Sequence, residues 1–270
     1  MYTLTELATI SGVEPQRLRL WKTRYDFPKA LPIREHSKYT EQELIRLVNI
    51  SILLTQGWRI SKALSLAPDE LRTRATDLSS SSMAKFRFAA VINGLIRHIF
   101  DYDQLSFVRL YQSARSRISM AEMLTEIDFP LLQRISLLWR NEKVKNMHQR
   151  FLAELLMKSY ASDVYTRLLT QTSDKDAIIL YSGEGTYSRL FMYFSAVYLM
   201  TRKRSLILLG ESLSYREISK SDLKDRFMIG FDDAYPVDKD KIVCIDTRTR
   251  TSSLHLPLLL DQILINRFSS

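Results

Sequence analysis

Seven basic side chains crowd into residues 15–38: Arg17, Arg19, Lys22, Arg24, Lys29, Arg34 and Lys38, against only Asp26 and Glu35. Cations at this density either meet an anionic polymer or form the solvated face of a helix. The spacing within PQRLRLWKTRY favours the first chemistry. Leu18 and Trp21 recur at helical spacing and anchor one face, while Gln16, Arg17, Arg19 and Lys22 project from the other. Arginine pairs bidentately with guanine O6 and N7, and lysine and arginine neutralise phosphates. A helix with these two faces fits the major groove of duplex DNA. The segment Arg34-Glu35-His36-Ser37-Lys38-Tyr39 has the composition of a wing. It is short and polar, carries two cations, and ends in an aromatic that packs either against the domain or against sugar-phosphate.

The rest of the chain offers little else that does chemistry. His36, His98, His148 and His255 show no i, i+4 pairing and no cysteine or carboxylate at a metal-ligand spacing. Asp232, Asp233, Asp238 and Asp240 form a carboxylate cluster without the ordered glycine and terminal glutamate of an EF-hand loop, so a solvated acidic loop is the simpler reading. Cys244, the only cysteine, sits inside an apolar run, as a buried inert thiol does. Neither a nucleophile elbow nor a Walker-type loop is present, so the sequence points away from an enzyme. Gly183-x-Gly185 lacks the third glycine of a dinucleotide loop and reads as a plain βα turn.

Three groups of elements must position these residues. Residues 1–75 read as short helices. Thr3 or Thr5 caps the first, Ser11-Gly12 ends it, and Pro15 opens the second, which runs to about Tyr25. Thr40 and Glu43 form a capping box for a third, and Ser61 caps a fourth. Residues 76–172 open with a serine linker, Ser79 to Ser82. Long amphipathic stretches follow over 83–99, 102–116, 119–139 (interrupted at Pro130) and 144–169, a helical bundle. Over 173–270 the period changes. Ala177–Tyr181, Leu206–Gly210, Phe227–Ile229 and Ile242–Ile245 are short buried-strand runs, with helices at 186–200 and 257–266. The expected fold is mainly α with a small α/β domain: winged helix-turn-helix, helical bundle, then a Rossmann-like C-terminal domain.

The bulk numbers agree. The chain has 270 residues, 46% of them hydrophobic, and a net charge of +9 with an isoelectric point near 9.6. That favours a nucleic-acid partner over a membrane surface. One cysteine, no basic-then-apolar leader and no apolar stretch long enough to cross a bilayer lead to the expectation of a cytoplasmic protein.

The segment Y-T-L-T-E-L-A-T-I-S-G-V-E-P-Q-R-L-R-L-W-K, followed by K-Y-T-E-Q-E-L-I-R-L and G-W-R-I-S-K-A, resembles the DNA-binding domain of the MerR family over about residues 2–67. The resemblance implies DNA contacts from Arg17, Arg19, Arg34 and Lys38, and assembly as a homo-oligomer on paired half-sites. The W-K-x-R-Y form resembles one subgroup, the light-responsive cobalamin-dependent repressors, whose members carry a helical cap and a cobalamin domain. Ile135–Trp139 and the M-H-Q-R-F run at 147–151 follow that order. The cobalamin signature does not. Gln149-Arg150 stands where a Glu-His pair is expected. After the first strand Glu184 is retained, but Thr186 replaces the cobalt-ligating histidine and Arg189 a glycine.

The reading is therefore a transcription regulator that binds double-stranded DNA, with Gln16, Arg17, Arg19, Lys22, Arg34, His36, Lys38 and Tyr39 at the interface. No cofactor is expected, and cobalamin in particular is not. The C-terminal part is left as a sensor of another small molecule or as a protein-interaction and oligomerisation module.

Overall fold

A computed structural model describes residues 1–31, 37–81, 87–139, 146–170, 176–210, 213, 220, 222, 226–231, 242–245 and 256–268. The chain divides into two compact units, Met1–Phe151 and Leu152–Ser270. The joint expected at 75/76 lies within the first unit and that at 172/173 within the second.

In the first unit, α1 (Leu4–Ser11) starts at Thr3 with a complete capping box. The Thr3 hydroxyl accepts from the Glu6 N–H, and the Glu6 carboxylate accepts from the Thr3 N–H at 2.6 Å. Gly12 ends the helix at φ 70, a conformation glycine adopts without a Cβ penalty. Pro15 occupies the first position of α2 (Pro15–Tyr25). Helix α3 (Glu41–Thr55) follows, capped by Thr40. Its expected capping box is half formed. The Thr40 hydroxyl accepts from the Glu43 N–H at 3.1 Å, but the Glu43 carboxylate accepts from the Lys29 N–H at 2.9 Å instead. The loop after α2 brings a free donor within its reach.

Two further expectations are corrected. Arg59, not Ser61, precedes α4 (Ile60–Leu64), and no side chain caps it. The serines at 79–81 are not a linker but the last residues of α5 (Pro68–Ser81); Ser82 lies outside the described residues. Pro68 and the acidic Asp69 and Glu70 suit a helix start, and Leu71 and Ala75, one turn apart, are buried and hold the helix to its neighbours.

Helices α6 (Arg87–Phe100) and α7 (Gln104–Arg115) lead to α8 (Met120–Glu122), a π-helical segment at Met123–Asp128, and α9 (Phe129–Trp139). The interruption expected at Pro130 takes this form. Proline lacks the N–H owed to residue 126 and its ring crowds that carbonyl, and the widened turn just before it spaces the chain. Helix α10 (Asn146–Leu168) carries the chain into the second unit.

Helix α3 packs against α1, α5 and α6, while α1 also meets α9. The helix-turn-helix and the bundle thus share one core. A buried polar cluster pins it. Asn93 on α6 donates through Nδ2 to the Ser51 hydroxyl at 2.7 Å and the Ser11 carbonyl at 3.2 Å, and accepts from Arg134 Nη1 at 2.7 Å. One side chain therefore ties together α1, α3, α6 and α9.

In the second unit four strands run parallel in the order β2-β1-β3-β4: β1 (Ile178–Ser182), β2 (Leu206–Gly210), β3 (Met228–Phe231) and β4 (Ile242–Cys244). The central β1 is buried along its whole length, as its continuous apolar run predicts. Helix α11 (Thr186–Thr201) packs on β1, β2 and β3, and α12 (Leu256–Phe268) packs on α11. Tyr198 of α11 and Arg202, just past its end, both donate to the Asp261 carboxylate at 2.9 Å. The architecture is mainly α with a small parallel α/β sheet.

Candidate nucleic-acid interface

Helix α2 separates its faces cleanly. Leu18 is fully buried and Trp21 nearly so, whereas Gln16, Arg17, Arg19 and Arg24 are exposed. At about 100° per residue, Gln16 and Arg19 lie opposite the Leu18–Trp21 anchor, with Arg17 and Lys22 on the two flanks. The Arg17 guanidinium stands 5.2 Å over the Trp21 ring, so one flank is braced by a cation–π contact. On the other flank Lys22 Nζ donates to the Ser37 hydroxyl at 2.9 Å and lies 5.9 Å from the Tyr39 ring centre. Asp26, at φ 50, closes the helix. The N–H groups of Asp26 and Phe27 return to the carbonyls of Lys22 and Trp21.

The described ends of the segment expected as a wing are anchored. Leu31 N–H donates to the Lys38 carbonyl at 2.8 Å, and Tyr2 and Tyr39 exchange both backbone bonds at 2.8 Å. Lys38 is half-buried there. Tyr39 is only 1% exposed, so it takes the first of its two expected roles, packing within the domain, and has no surface for sugar-phosphate. Arg34 and His36 lie outside the described residues. Gln16, Arg17, Arg19, Lys22 and Lys38 are thus brought to one helix and the adjoining end of that segment. Arg24 joins them as an exposed cation; it stands seven residues from Arg17, about two turns along the same flank, a spacing the sequence already displays.

Two histidines of the first unit are buried and held by their neighbours. His98 is buried, and desolvation together with the adjacent Arg97 lowers its pKa from 6.5 to about 4. Arg97 donates to His98 Nε2 at 3.0 Å. Arginine only donates, so the neutral ring carries its proton on Nδ1, 3.7 Å from Asp103; this contact is not an ion pair near neutral pH. His148 is buried, stacked on Tyr102 at 4.3 Å and packed near Phe100. Among the described residues there is no cluster of three or more His, Cys, Asp or Glu suited to a metal, and no helix long and apolar enough to cross a membrane. His255 and the four clustered aspartates lie outside the described residues. Cys244 is partly buried, with its sulfur 3.8 Å from the Tyr181 hydroxyl.

Residues 2–67 match the family model described as MerR HTH family regulatory protein. The first four helices form a MerR-type helix-turn-helix domain. The matched residues begin at Tyr2, bridge partner of Tyr39, and end just before α5, about a quarter of the chain. No curated protein matches the chain. The MerR-type domain supports DNA binding and transcription regulation, and its α2 carries the exposed cations described above.

Proposed function

We propose that the chain is a sequence-specific regulator of transcription that inserts α2 into a major groove of duplex DNA. The observation that carries this reading is the outward row of Gln16 and Arg19 flanked by Arg17 and Lys22, all held on the buried Leu18–Trp21 anchor. Arg19 reads a base edge, Arg17 and Lys22 engage the groove walls, and Lys38 with the wing at 33–39, including Arg34 and His36, fixes register on phosphates. The protein acts as a homo-oligomer, because paired half-sites call for paired readers.

Selection of bound sequences from random duplex DNA, with the purified full chain, tests this. A defined motif is expected, with affinity that falls steeply with salt. Arg19→Ala should weaken binding by roughly 1–3 kcal/mol, about 5- to 150-fold in Kd, and relax one position of the motif. Wild-type selection by that variant overturns the assigned reading helix.

We further propose that the C-terminal unit does not take cobalamin. Thr186, the first residue of α11, stands where an imidazole would be needed, and its hydroxyl does not replace a cobalt-binding nitrogen. Arg189, one turn on, lies 3.9 Å from Glu154 and donates to Met157 Sδ at 3.3 Å. At the reversal of strand order between β1 and β3, where open α/β sheets receive ligands, the Tyr181 ring lies directly over Gly230, and Gly183 N–H continues the pairing to the Phe231 carbonyl at 3.1 Å. Corrin absorbance co-eluting with the protein after incubation with adenosylcobalamin would overturn this.

A further inference from the structure

Arg134 holds a charge that no side chain of the described protein neutralises. It is half-buried on α9, its one side-chain partner is the Asn93 carbonyl oxygen, and burial lowers its pKa with no carboxylate acting against that shift. A guanidinium has five N–H donors and stays charged, so a half-buried one without a counter-ion is a costly arrangement unless something anionic joins it. The backbone makes room for it. A methyl group on Gly12 would stand 2.8 Å from Arg134 Nη2.

Arg134 also lines a cavity of about 210 Å³ at the α1–α2 turn. Its polar side is completed by Arg17, Ser51, Thr55 and Asn93. Val13, Leu54 and Ala89 supply an apolar wall. The wall is made by α3, α6 and the α1–α2 turn, elements the Asn93 hydrogen bonds already hold in place. A cavity of about 150 Å³ accommodates benzene, so this one accommodates a ring or short chain bearing one ionised group.

We propose that this cavity is a binding site for a small organic monocarboxylate. The carboxylate pairs with the planar Arg134 fork, where charge-assisted bonds to carboxylates are strongest. The tail lies against Val13, Leu54 and Ala89. Two cations and three neutral polar groups suit a single negative charge with an apolar tail better than a multiply charged phosphate. Because Arg17 lines the same cavity and flanks α2, occupancy draws its guanidinium away from DNA. This coupling rests on the DNA-binding reading above, whereas the site itself does not.

The test is thermal unfolding of the full chain with acetate, valerate or benzoate against chloride at equal ionic strength, with benzamide as the uncharged counterpart of benzoate and inorganic phosphate as the competing class. At least one monocarboxylate should raise Tm saturably by several degrees, and benzamide should not. Arg134→Gln should abolish the rise. Ala89→Leu, which fills the cavity and leaves the Arg134–Asn93 bond in place, should abolish it as well, so the result does not depend on one variant folding. The proposal is overturned if none of the three carboxylates shifts Tm beyond chloride, if the shift survives both variants, or if phosphate binds more tightly than all three. The active carboxylate should then weaken duplex binding by the same factor by which duplex weakens its own binding. A carboxylate response in a protein with no duplex affinity would defeat the DNA reading alone. Duplex affinity without any carboxylate response would defeat this proposal alone.

Discussion

Replacing Asn93 with alanine should destabilise the first unit by about 2–4 kcal/mol. Asn93 is 1% exposed and makes three side-chain bonds, at 2.7 and 3.2 Å to Ser51 and Ser11 and at 2.7 Å from Arg134. Two neutral bonds contribute about 0.5–1.5 kcal/mol each and the charge-assisted one about 1.5–3 kcal/mol, which sets an upper bound near 6 kcal/mol. The cavity beside Arg134 and Ser51 admits water, which recovers part of that loss. Urea unfolding followed by tryptophan fluorescence is the assay. All three tryptophans, Trp21, Trp58 and Trp139, belong to Met1–Phe151, so the signal reports this unit and not the α/β sheet. The midpoint should fall without a change in slope. A double-mutant cycle with Arg134→Met should give a coupling energy of about 1–3 kcal/mol. A variant within about 0.5 kcal/mol of wild type, or an additive cycle, would refute the reasoning that one asparagine clamps the four helices.

Three further outcomes follow from the same geometry. The pKa of His98 near 4 lies below its ordinary 6.5, so on acidification the unfolded chain takes up this proton first. The stability His98 confers as a neutral group is therefore whole above about pH 6.5 and is lost as pH falls towards 4, by up to about 1.4 kcal/mol per pH unit; His98→Asn should flatten the slope of urea-derived stability between pH 6.5 and 4.5. Tyr39→Phe should leave duplex affinity within about twofold of wild type, because the ring is buried, whereas Tyr39→Ala should cost about 3–5 kcal/mol of stability; a large affinity loss in the phenylalanine variant would return Tyr39 to the interface. Gly230→Ala places a methyl group 2.5 Å from the Tyr181 ring and should lower stability by about 1–3 kcal/mol, and Tyr181→Leu should restore part of it in thermal melts followed by circular dichroism.

The helix-turn-helix was legible because its signals are local. A capping threonine at position 3 or 5, Gly12, and Pro15 each act within a few residues, and Leu18 with Trp21 declares the buried face one turn at a time. The strands of the sheet were legible for a similar reason, since a short apolar run between turns has few other uses. What failed were places where a partner far along the chain decides. Glu43 reads as the second half of a capping box until Lys29 arrives with a free N–H. The serines at 79–81 read as a linker because their own preferences are weak, but Leu71 and Ala75 hold the preceding turns and the helix simply continues. Tyr39 did not fail but stayed open between two roles, and Tyr2, which pairs with its backbone from 37 residues earlier, decides for packing within the domain. Arg134 was missed for the same reason. Nothing near it in LLQRISLL says that its guanidinium meets Asn93 and the α1–α2 turn. Asn93, a polar residue inside V-I-N-G-L-I on an otherwise apolar helix face, was the one readable hint.

The position of that asparagine bears on how regulation would work. A reader domain that hangs from a linker can receive a signal only through a change in assembly. Here α3 packs at once against α1 and against α5 and α6, and α5 begins directly after the residues that match the MerR-type domain. A packed core has few alternative arrangements, so a shift at α6 or α9 would reach the turn that sets the start of α2 through Asn93 and its bond to the Ser11 carbonyl, instead of being absorbed locally. An effector acting within the first unit needs only to favour one placement of that turn. A change of about 1.4 kcal/mol there is a tenfold change in DNA affinity, comparable to one charge-assisted hydrogen bond gained or lost at Arg134.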